Sequence, residues 1–119
     1  MTTVVGTASV HTTAAACDYL AGTEERVVVV TATEEGMARR DAGDAGNVAR
    51  TRLPEATVET VQRAGDPPTV IREVAAERDA ERVVVGTKRG DPDRASEPPG
   101  STVRALLADA ERPVVVVPV

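Results

Sequence analysis

Two short stretches hold the residues best suited to chemistry: Gly86-Thr87-Lys88-Arg89-Gly90 and, nine residues further on, Gly100-Ser101-Thr102. Glycines let backbone N–H groups approach a ligand closely. A helix opening at Ser101 would present unpaired N–H groups and the positive end of its dipole to an anion. The Ser101 and Thr102 hydroxyls add donors, and Lys88 or Arg89 adds countercharge. Together these form a cradle for phosphate. A plainer reading stands beside it, in which Gly86 and Gly90 shape a turn and Ser101 caps a helix. The spacing is neither a Walker A loop, which needs Gly-Lys-Ser/Thr, nor the dinucleotide G-x-G-x-x-G. Asp91, Asp93 and Glu97 oppose an anion at this loop. They could serve Mg²⁺ bound with substrate phosphates, but a solvated loop face is the simpler account.

Elsewhere reactive groups are sparse. His11 is the only histidine and Cys17 the only cysteine, so neither an internal disulfide framework nor a multi-cysteine zinc site can form. With no G-x-S-x-G elbow and no second histidine, His11 reads as a surface residue in a first helical turn. Cys17 reads as a small apolar packing residue. Acidic neighbours dilute Arg39-Arg40 and Arg50-Arg52. No positioned base or nucleophile is evident, so at most slow hydrolysis of a bound ligand is expected. The net charge of −5 excludes a broad basic face for nucleic acid or anionic lipid. Phe and Trp are absent and Tyr19 is the only aromatic, which disfavours single-strand nucleic-acid platforms built on stacked rings. No apolar run approaches the ~18 residues of a membrane span. The first residues lack a basic n-region and an apolar h-region, so a cytoplasmic location is expected. Thirteen of the fourteen basic residues are Arg, Lys88 the exception, the usage expected of a GC-rich, salt-adapted source.

At 119 residues the chain fits one domain, expected to span 1–119. The blocks Val27–Val30, Val83–Val85 and Val114–Val117 are continuous β-branched runs, the pattern of strands covered on both faces of a parallel sheet. Thr3-Val4-Val5 is a weaker first strand. Thr57–Val61 alternates, as a strand with one exposed face does. Helices are expected between them. Thr12–Leu20 is Ala-rich and stops before Gly22. Pro67–Ala80 aligns Val70, Ile71, Val74 and Ala75 on one stripe, with Asp66 as N-cap and Pro67 at N1. Thr102–Ala110 turns Val103, Leu106, Leu107 and Ala110 inward behind Ser101 as N-cap. Glu34–Pro54 must hold a crossover helix. Gly36, Gly43 and Gly46 weaken it by about 1 kcal/mol each, so a short or frayed helix around Glu34–Asp41 is expected. Alternating strands and helices predict an α/β sandwich on a parallel sheet. Ligands in such sheets bind beyond the carboxyl ends of strands, where the strand order reverses.

The segments Glu59-Thr60-Val61, Gly65-Asp66-Pro67, Val70-Ile71 to Asp79-Ala80 and Val83-Val84-Val85-Gly86-Thr87 resemble the second half of a universal stress protein of the UspA family. The tail Gly100-Ser101-Thr102-Val103-Arg104-Ala105-Leu106-Leu107, then Arg112-Pro113-Val114-Val115-Val116-Val117-Pro118, strengthens the resemblance. It is close from about residue 57 and fainter before. The family's nucleotide motif reads G-x2-G-x9-G-S/T. Gly90-x9-Gly100-Ser101 fits it, whereas Gly86-x3-Gly90 is one residue longer, unless Arg89 occupies the second glycine position. The resemblance implies a five-stranded sheet of order 3-2-1-4-5, of the adenine nucleotide alpha hydrolase-like kind. It implies ATP, with Mg²⁺ possible, on Gly86, Thr87, Lys88, Arg89, Gly90, Gly100, Ser101 and Thr102, with Thr7 and Ala8 on the base side. It also implies homodimers that pair the last strand, Val114, Val115, Val116 and Val117, across a twofold. Ala8 stands where ATP-binding members usually carry an Asp, and no nearby carboxylate replaces it. A member that binds no nucleotide and works as a dimeric interaction module is the alternative implied.

Overall fold

The computed structural model describes residues 1–7, 10–33, 39–86 and 101–118, and at 10, 11, 33, 39–43 and 101 the backbone alone. Strands and helices alternate: β1 Thr2–Thr7, α1 Val10–Tyr19, β2 Arg26–Thr33, α2 Arg39–Arg52, β3 Thr57–Ala64, α3 Pro67–Glu77, β4 Arg82–Gly86, α4 Ser101–Ala108 and β5 Val114–Val117. The strands form one five-stranded parallel sheet in the order β3-β2-β1-β4-β5. This is the α/β architecture expected from the alternation of elements, in the strand order that the resemblance implies.

The valine blocks explain the layering. Side chains alternate across a strand, so every second valine packs one way. Val4, Val28, Val30, Val83 and Val85 join Val70, Ile71 and Val74 of α3 and Val103 and Leu106 of α4. Val5, Val27, Val29 and Val84 join Ala16 and Cys17 of α1 and Ala45 and Ala49 of α2. Each fully buried valine contributes about 1.5–3 kcal/mol over an exposed one. The chain winds from β1 outward to β3, then returns past β1 to β4 and β5. Such crossovers are right-handed, so the reversal moves the helices to the other face.

Several local expectations need adjusting. The helix after β2 is Arg39–Arg52, not a frayed segment at Glu34–Asp41. Gly46 is a packing residue. A Cβ on Gly46 would lie 2.7 Å from Cγ2 of Thr60, so α2 sits close on β3 because position 46 is bare. Burial of Ala45, Ala49 and Leu53 overrides the weak propensity. α3 ends at Glu77, and Asp79 closes the turn at a φ of 51°. Asp66 holds the N-cap position with extended backbone, but its carboxylate caps no N–H. It accepts instead from the Thr69 hydroxyl at 3.0 Å. Ser101 is the first residue of α4 rather than the residue before it, and Leu107 and Ala110 are exposed, not inward, Ala110 lying past the helix end at Ala108.

Candidate functional site

The sheet reverses between β1 and β4. From β1 the chain leaves toward α1 on one face, and the helix that follows β4, α4, lies on the other. Connections that diverge to opposite faces leave a crevice at the carboxyl ends of the two strands. Four of the expected site residues border it. Thr7 ends β1, half-buried, in register with Thr31 of β2. Gly86 ends β4, half-buried, in register with Val117 of β5. Ser101 opens α4, and Thr102, half-buried, follows it. Ala8, Thr87, Lys88, Arg89, Gly90 and Gly100, together with Asp91, Asp93 and Glu97, lie outside the described residues.

The described walls are set tightly. A Cβ on Gly6 would come within 2.6 Å of Ile71 Cδ1 and 3.1 Å of Val85 Cγ1, so α3 packs directly under the end of β1. Thr7, Thr12 and Thr13 gather their hydroxyls at that end. Thr7 Oγ1 lies 3.4 Å from Thr12 Oγ1 and makes a hydrogen bond with Thr13 Oγ1. Thr12 and Thr13 are buried. They tie the first turns of α1 to β1. Sequence reasoning passed over this pair; the signal was two adjacent threonines just after a strand that ends in Thr7. On the other wall Arg72 of α3 donates to the Ala105 carbonyl and so anchors α4.

Among the described residues, a charged cluster sits at the opposite end of the sheet. Glu25 accepts from the hydroxyls of Thr3 at 3.2 Å and Thr23 at 3.1 Å, and from Arg82 Nη2 at 2.9 Å. Arg82 Nε donates to Thr3 Oγ1 at 3.0 Å, and the guanidinium carbon lies 5.7 Å from the centre of the Tyr19 ring. Burial alone would raise the Glu25 carboxyl, but the bonds from Thr23, Arg82 and Thr3 and the Arg82 charge outweigh it and hold the group below 4.5. Cys17 is buried in the α1 core, and that burial lifts its thiol to about 11, which suits packing rather than reactivity. His11 falls in the first turn of α1. Among the described residues no carboxylate with a shifted pKa borders the crevice, and no His/Cys/Asp/Glu group could hold a metal. The described walls thus offer hydroxyls, backbone groups at a helix start and aliphatic surface. That is the equipment for holding a ligand.

The Universal stress protein family matches residues 7–118, and the chain belongs to that family. No curated protein matches the chain. Among solved structures, a universal stress protein in complex with cAMP superposes with a TM-score of 0.76 at 21% identity, covering 98% of this chain and 95% of that one. The universal stress protein from Archaeoglobus fulgidus gives 0.72 at 22% identity, with 98% of each chain covered. The Archaeoglobus fulgidus protein in complex with dAMP gives 0.69 at 21% identity, covering 98% and 97%. No described helix is long and apolar enough to cross a membrane.

Proposed function

We propose that this chain binds an adenine nucleotide, ATP foremost, at the crevice between β1 and β4, and serves stress-response signalling in the cytoplasm. One observation carries the reading: the two central strands end side by side where the strand order reverses, with α4 opening at Ser101 beside them. Gly90-x9-Gly100-Ser101 leads into that helix start, where unpaired N–H groups favour a phosphate. In support, two relatives of the same fold were crystallised with cAMP and dAMP, both adenine nucleotides. With no Phe or Trp in the chain, adenine would meet aliphatic walls beside Val5, Thr7 and Ala8. Its affinity then rests on backbone hydrogen bonds and on phosphate contacts from Gly86, Thr87, Gly90, Gly100, Ser101 and Thr102. Lys88 or Arg89 offsets phosphate charge, and Mg²⁺ accompanies the phosphates.

Calorimetric titration with MgATP tests this. Saturable heat is expected, abolished by Gly100→Val with the thermal midpoint unchanged; no heat at millimolar nucleotide removes the reading. A second reading, a nucleotide-free interaction module, is favoured by Ala8 in place of the family's Asp and by the longer Gly86-x3-Gly90 spacing. Under both readings two copies pair through Val114–Val117. A monomeric mass by light scattering at micromolar concentration removes that pairing.

A further inference from the structure

The geometry points to one register for the pairing of two copies: Val115 opposite Val115 of the second copy, Val114 opposite Val116. This inference rests on the pairing proposed above and adds the alignment, which that proposal leaves open. β5 is a sheet edge, and no described strand lies beyond it. Its inner hydrogen bonds begin where Val83 N–H donates to the Pro113 carbonyl at 2.9 Å. In a parallel ladder one residue in two turns both its backbone groups to the neighbour. With Val83 in register with Val114 and Val84 with Val115, Val115 and Val117 face β4. The N–H and C=O groups of Val114 and Val116 therefore point outward from the edge.

A twofold perpendicular to the sheet pairs antiparallel strands and keeps each face on its own side. Residues opposite one another must then share a face. Val114 and Val116 pack toward α3 and α4, Val115 and Val117 toward α1 and α2. The axis must therefore pass beside a residue, not between two, since a one-residue slip would swap the faces. Three centres remain. Centring on Val116 sets Val114 opposite Pro118, which has no N–H to give to the Val114 carbonyl. Centring on Val114 sets Val116 opposite Arg112, which lies in the bend before the strand. Centring on Val115 lets Val114 N–H and C=O meet Val116 C=O and N–H of the second copy, and the same again by symmetry. Every outward group of the strand is then satisfied, and Pro113 and Pro118 fall outside the ladder. A backbone group shut away from water without a partner carries its full desolvation penalty, which selects this register over the other two.

Val115 becomes a non-hydrogen-bonded pair across the axis. Such pairs stand roughly 4.5 Å apart between Cα atoms, inside the span a disulfide accepts. Residues offset by two lie about 7–8 Å apart, beyond it. The test is mild oxidation of full-length V114C, V115C and V116C, each checked for a folded circular dichroism spectrum, with the unsubstituted chain as control because Cys17 is buried. A covalent dimer is expected from V115C alone. Preferential cross-linking of V116C or V114C in a chain that is dimeric by light scattering overturns the register and leaves the pairing standing. A monomeric mass removes the pairing itself. On the unsubstituted chain, amide exchange at Val114 and Val116 should slow as concentration rises while Val115 stays constant; concentration dependence at Val115 instead overturns the assignment of the outward groups.

Discussion

The two edges of the sheet are built by opposite rules. β3 is eight residues long and has no buried position, exposed and half-buried residues alternating from Glu59 onward. Its charges are engaged: Arg78 holds Glu59 at 2.5 Å and Arg63 holds Glu77 at 2.5 Å. β5 is four valines between two prolines, three of them half-buried. Charged side chains on an edge strand deter pairing with other chains, whereas a bare apolar edge invites it. One sheet can thus carry a closed edge and an open edge, and the difference lies in side chains alone, since both edges have outward backbone groups.

The largest expected effect breaks the open edge. In the proposed dimer, Val116→Lys puts two like charges beside the twofold and should halve the solution mass, weakening self-association by more than about 2 kcal/mol; sedimentation reads this directly. Thr60→Lys on β3 should leave the mass unchanged, and an equal loss from both would erase the distinction between the edges. An intermediate effect comes from opening the closed edge. Replacing Glu59 and Arg63 together by Val should give concentration-dependent higher-order species, seen as rising scattering, because the chain would then have two adhesive edges. If the double variant stays dimeric, charge is not what closes β3.

The smallest effect is the share of the acid-side pH dependence that the Arg78–Glu59 pair on β3 adds to that of Glu25 and Glu77. The hydrogen bond from Arg78 is the main cause holding the Glu59 carboxyl below 4.5, against its partial burial. A depressed carboxyl adds stability that is fully present above its unfolded value and is lost as pH falls through the folded one. Below about pH 4.5 the thermal midpoint should therefore fall, and less steeply in Arg78→Ala than in the unsubstituted chain. Identical slopes would show that the pair contributes nothing measurable, as many exposed pairs do.

The sheet was legible because valine runs admit few alternatives: four consecutive β-branched residues between polar turns read as a strand buried on both faces. The crossover helix was misplaced because glycine was weighed by propensity alone. Its role at position 46 is visible only when Thr60 of another element arrives beneath it. The Thr7–Thr13 contact was hidden for a similar reason, since hydroxyls six residues apart meet only if a strand turns straight into a helix. Of the candidate site, the strand ends Thr7 and Gly86 and the helix start at Ser101 could be placed from order and spacing. The side-chain environment behind them could not, because it is supplied by α3, distant in sequence from β1.

Tyr19 has a practical consequence. It is the sole aromatic ring, half-exposed, with the Arg82 guanidinium 5.7 Å from its centre at the amino-terminal end of the sheet. Near-ultraviolet emission from this molecule is consequently a single-point signal, reporting the junction of α1 with β4 and nothing else. An adenine entering at the far end of the strands would leave that emission almost unchanged, while separation of α1 from the sheet would alter it at once.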